Sequence, residues 1–126
     1  MSDLEILNQL IKNSARIPLQ LKDEKYMVVL TEPDAPDSTV TICGISQDSI
    51  IIKVDELKSP DHVFHGTKGE CKRADFVIIS GSETKKRILF IEMKRTSALA
   101  HEIQKQLGGA LCFIHYCREI GKHFWK

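Results

Sequence analysis

The stretch CKRADFVIISGSETKKRILFIEMKRT, residues 71–96, holds two apolar runs on either side of a short polar loop. Each run carries a carboxylate at its outer edge, Asp75 before the first and Glu92 at the end of the second. β-Branched and aromatic residues dominate both runs, which predicts two strands joined as a hairpin. The symmetric register sets Ile79 opposite Ile88, Val77 opposite Phe90 and Asp75 opposite Glu92. All six share one face because strand side chains alternate. Phe76, Ile78, Leu89, Ile91 and Met93 take the other. Both faces are apolar, so the pair is expected to be central and covered on both sides.

That register poses an electrostatic problem. Directly opposed residues have Cβ atoms roughly 4.5–5.5 Å apart, and like charges there are destabilising. Lys94 has the same parity as Glu92 and offsets part of the repulsion. A divalent cation offsets it better: Mg²⁺ takes one or two carboxylates, keeps several waters and completes its shell from substrate phosphate. Asp75, Glu92 and the Met93 carbonyl are the candidate oxygen donors. Lys94 is then free to lower the pKa of an attacking water or to hold a phosphate oxygen. An exposed ion-pair cluster at strand ends has the same spacing, so spacing alone leaves both readings open.

Working outward, Leu4, Leu7, Leu10 and Ile11 fall on one helical face, with Asp3 as the expected N-cap. KYMVVLTE reads as a strand and EPDAPDS as a turn-rich loop. TVTICGI and SIIIKV suggest a hairpin turning between Gly44 and Asp48. Residues 55–72 read as a polar loop with one helical turn. After the central pair, Leu99, Ile103, Leu107, Ala110, Ile114 and Cys117 recur at helical spacing, with Thr96 or Ser97 as cap. Gly108 and Gly109 weaken that helix by about 1 kcal/mol each, which points to close packing. The order is helix, strands, helix, an α/β or α+β class in a single domain spanning 1–126.

Composition sets outer bounds. A chain of 126 residues with 42% hydrophobic content and net charge +1 suits one packed domain without global basicity. The four cysteines form no CxxC pair, so reduced thiols and a reducing compartment are expected. The acidic, amphipathic N-terminus lacks the basic start of a signal peptide, and no run of apolar residues is long enough for a membrane span. The expectation is a cytoplasmic protein with no membrane partner.

Asp75, a strand–loop–strand, and Glu92-Met93-Lys94 together resemble the PD-(D/E)XK nuclease superfamily, with its restriction-endonuclease-like fold. EIQKQLGGAL adds to this. Gln106-Leu107 begins twelve positions after Lys94, similar to the glutamine motif of the RecB-type branch. The resemblance implies an αβββαβ core: a mixed central sheet flanked by helices. The last strand is short or missing here, because only KHFWK follows the long helix. A fragment of a longer protein, with further domains, is one way to account for that. The resemblance also implies Mg²⁺- or Mn²⁺-dependent hydrolysis of phosphodiesters, of DNA in preference to RNA. Asp75 and Glu92 would be metal ligands, Lys94 would position the water, and Gln106 would support the site. Nucleases of this kind often act as homodimers. The chain departs from the pattern at Ala74, where a proline is usual, and at Ala110, where a tyrosine is usual.

Lys72, Arg73 and Arg95 are the cations expected beside the site to hold nucleic-acid phosphates. Lys85, Lys86 and Arg87 lie at the far end of the hairpin. Glu70, His62 and His65 precede Asp75 without an assigned role. The competing reading is a non-catalytic module of nuclease-like fold that binds nucleic acid or a protein partner.

Overall fold

A computed structural model describes residues 2–32, 35–82, 85–93 and 100–125. Helix α1 spans Asp3–Leu10, and the strands are β1 Arg16–Ile17, β2 Gln20–Lys22, β3 Lys25–Glu32, β4 Ala35–Cys43, β5 Ser49–Lys53, β6 Phe76–Ser82 and β7 Lys85–Ile91. Helix α2, Ala100–Phe124, closes the order. Two 3₁₀ turns, Val54–Glu56 and Pro60–His62, interrupt the β5–β6 connection.

The strands form two sheets rather than one. The first has the order β1-β5-β6-β7 and the second β2-β3-β4. Every pairing is antiparallel, so the mixed central sheet expected from the resemblance is absent among the described residues. The chain is a mixed α/β protein with two antiparallel sheets.

The β6–β7 hairpin takes the register its alternation dictates, Val77 pairing with Phe90 and Ile79 with Ile88, but only β6 is central: among the described strands β7 lies at the edge of the first sheet, against the expectation that both strands would be covered on both sides. Its two faces build two cores. Val77, Ile79, Ile50 and Ile52 pack under α1 and α2, which contribute Leu4, Leu7, Leu107, Ala110 and Ile114. Phe76, Ile78 and Ile51 pack against Val28 and Leu30 of the second sheet. The molecule is therefore layered: helices, first sheet, second sheet. Full burial of each such aliphatic side chain contributes about 1.5–3 kcal/mol.

Local expectations fare unevenly. β3 matches KYMVVLTE residue for residue. β4 starts at Ala35, inside the stretch read as a loop, and turns back onto β3 rather than forward onto β5. β5 instead lies between β1 and β6, so the supposed TVTICGI–SIIIKV hairpin is split between sheets. Ser2, not Asp3, caps α1. Its Oγ accepts from the Glu5 amide at 3.2 Å while Glu5 Oε2 accepts from the Ser2 amide at 3.0 Å, a reciprocal capping box. Lys122, His123 and Phe124 of KHFWK belong to α2 rather than to a strand. Among the described residues no helix is long and apolar enough to cross a membrane.

Candidate functional site

Asp75 immediately precedes β6, and Glu92 immediately follows β7. The last paired residues are Phe76 and Ile91, so the same register carried one step further sets Asp75 beside Glu92. A hydrogen bond fixes that step: the Met93 amide donates to Asp75 Oδ2 at 2.9 Å. The Asp75 carbonyl accepts from the Val54 amide, also at 2.9 Å. Asp75 is thus held from both neighbouring chain segments. A charge-assisted bond to a half-buried carboxylate is among the stronger kinds. Glu92 is half-buried, with its Oε2 shielded from solvent.

α2 approaches this end of the sheet through a close contact. A Cβ at Gly109 would overlap the Lys72 carbonyl oxygen, so the helix backbone rides directly on the segment leading into Asp75. Gln106 stands one helical turn earlier on the stripe that contains Ala110 and Cys117. Its Oε1 is shielded from solvent and has no hydrogen-bond partner among the described residues. A buried amide oxygen left without a donor is destabilising, so Gln106 is poised to receive one.

Of the expected site residues, the register brings Asp75 and Glu92 together and sets the Met93 backbone next to them. Lys94 and Arg95 lie outside the described residues. Lys72 and Arg73 are engaged within the protein. The Lys72 ammonium pairs with Glu102 and holds that carboxyl below its usual range. The Arg73 guanidinium donates to the Leu57 carbonyl. Both cations brace the loop before Asp75. Glu70 is likewise absorbed by local structure: its Oε1 accepts from the Lys68 amide at 2.9 Å, and backbone amides hold its carboxyl below the ordinary value. His62 and His65 are exposed.

Asp55 was not singled out by the sequence reading. Burial pushes its carboxyl up, and the neighbouring charge of Asp75, then that of Glu56, adds to the effect. It borders a cavity of about 490 Å³ lined also by Glu32, Glu56, Arg16 and Lys53. The signal was indirect: Lys53 pairs with Phe76, so the residues just after β5 must meet those just before β6. Seeing it required knowing that β5 and β6 are partners. Among the described residues, no three His, Cys, Asp or Glu side chains form a group able to hold a metal on their own.

The comparisons with known proteins add no relative: no family model, no curated protein and no solved structure matches the chain.

Proposed function

We propose that the chain is a metal-dependent nuclease that hydrolyses phosphodiester bonds, of DNA in preference to RNA. The observation that supports the reading is the hairpin register, which, extended one step past the Phe76–Ile91 pair, sets Asp75 beside Glu92 at one end of a sheet with a core on each face. Two carboxylates are the hard-oxygen donor set that suits Mg²⁺ or Mn²⁺, with waters and substrate oxygens completing the shell. When bound, the metal supplies Lewis acidity at the phosphate and a water of lowered pKa.

The chain's own residues supply the rest. The Met93 amide steadies Asp75 through Oδ2, and Oδ1 would be the oxygen offered to a cation. Glu92 contributes the second carboxylate, and the Met93 carbonyl is a further candidate oxygen. Lys94 orients the water and offsets negative charge on the phosphate. Gln106 receives a hydrogen bond from water or substrate at its unsatisfied Oε1. Asp55 raises the local negative potential and so favours a cation at the strand ends.

The test is cleavage of labelled single- and double-stranded DNA and RNA with Mg²⁺ or Mn²⁺, comparing the native chain with Glu92→Gln and Lys94→Ala. Loss of about 10²-fold or more in each variant is the magnitude expected for a group acting on the reacting water. Binding without cleavage by the native chain would move the reading to a non-catalytic module. Cleavage that survives both substitutions would remove the site.

A further inference from the structure

A second concavity lies on the helix face of the first sheet, towards the β6–β7 turn. It encloses about 580 Å³ between α1, β7 and α2, within the range of small-molecule pockets. Its walls include Leu7, Ile79, Ile88 and Ile114. Ile79 and Ile88 lie four residues along their strands from Asp75 and Glu92, about 13 Å away at strand rise. The pocket is thus separate from the candidate metal centre.

The rim is positively charged. Lys86, Arg118 and Lys122 border it, against one acid, Asp3. Lys86 is taken up by Asp3, and Lys122 pairs with Glu119 at 3.3 Å. Arg118 has neither an ion pair nor a side-chain hydrogen bond among the described residues. A guanidinium at the mouth of an apolar pocket matches a ligand with an apolar body and an anionic end, because its planar fork suits a carboxylate.

We infer that this pocket binds a free alkyl carboxylate of medium chain length, its chain among Leu7, Ile79, Ile88 and Ile114 and its carboxylate on Arg118. Trp125, the chain's one tryptophan, lines the same pocket and donates from Nε1 to Gln9 Oε1 at 2.8 Å. Its fluorescence therefore reports occupancy directly.

The experiment titrates the full chain with decanoate below its micelle concentration, following Trp125 emission and calorimetry. Decanol, butyrate and decyltrimethylammonium serve as comparators. The expected result is saturable one-to-one binding of decanoate, with decanol several-fold weaker through loss of the solvent-exposed pair with Arg118 and butyrate weaker by about tenfold or more through loss of several buried methylenes. Arg118→Glu, checked for folding by circular dichroism, should weaken decanoate by about tenfold and favour the ammonium ligand. Absence of saturable binding would overturn the inference. So would decanol binding as tightly as decanoate, or affinity that Arg118→Glu leaves unchanged. If that variant does not fold, the ligand series on the native chain decides alone.

Discussion

Asp75 combines two roles that substitution separates. Its carboxylate accepts the Met93 amide and is also a proposed cation ligand. Asp75→Asn keeps an acceptor oxygen, so the variant should melt near the native temperature while losing metal-dependent activity. Asp75→Ala removes both roles and leaves a half-buried amide unsatisfied, with an expected loss of about 1–3 kcal/mol in urea denaturation. Equal stability of the two variants would count against the strand-fastening role. Asp55 gives a prediction of opposite sign. Its carboxyl is raised in the folded protein, by burial first and by Asp75 next, so the unfolded chain ionises it more readily. The stability linked to this group is fully present below the ordinary carboxylate value of 3.8 and is lost as pH rises through the folded value. Asp55→Asn should therefore stabilise the metal-free protein at pH 7, with the gain vanishing at low pH; thermal melts across that range check it. The thiols separate similarly. Burial pushes Cys117 up to about 11 from 9.0, whereas Cys43 and Cys112 are exposed. Iodoacetamide at pH 8 should label Cys43 and Cys112 first and Cys117 only on unfolding. Stability should decline between pH 9 and 11 as the unfolded chain loses that proton and the folded one keeps it. These residue-scale distinctions were only partly legible: spacing placed Asp75 against Glu92, but it could not show that Lys72 and Arg73 are engaged elsewhere.

Within α2, two adjacent glycines are expected to respond in opposite directions. A Cβ at Gly108 meets nothing within 4 Å, so Gly108→Ala should stabilise by up to about 1 kcal/mol through helix propensity. A Cβ at Gly109 would overlap the Lys72 carbonyl. Gly109→Ala should lose about 1–3 kcal/mol through overpacking and displace the segment that leads into Asp75. Paired denaturation curves test both, and matching signs would refute the contact. The β2–β3 hairpin offers a similar contrast, since Asp23 and Glu24 both have positive φ, 52° and 65°. That is the geometry of a two-residue turn that favours glycine. The β6–β7 register was readable because both strands sit next to each other in sequence, share one alternation and have a short connection. The β4 partner was not: its alternation suits pairing with β3 or β5 equally, and only the second sheet's packing on Ile51 and Phe76 decides. β1 and β2 span two and three residues, too few for any period to emerge.

The whole molecule places its candidate metal centre where two cores and a helix converge, so occupancy should register globally. A cation held by Asp75 and Glu92, as proposed, would bind the native state and stabilise it by about 2.7 kcal/mol at a hundred times its dissociation constant. Thermal melts should rise with Mn²⁺ or Mg²⁺ for the native chain and stay flat for Glu92→Gln. An equal rise in both would place the cation elsewhere. The layered plan also leaves β7 at the border of the first sheet, with β6 as its one partner among the described strands. Ile88 and Leu89 on it are 45% and 52% exposed. A strand of that kind is a template for stacking chain upon chain into cross-β fibrils. Lys85, Lys86 and Arg87 occupy its first three positions; Lys86 pairs with Asp3, and the charges of Lys85 and Arg87 repel a second copy brought into line. Lys85 and Arg87 are thus expected to act as a solubility guard for the fold. Removing Lys85 and Arg87 should expose the chain to thioflavin-positive aggregation at concentrations where the native protein stays dispersed.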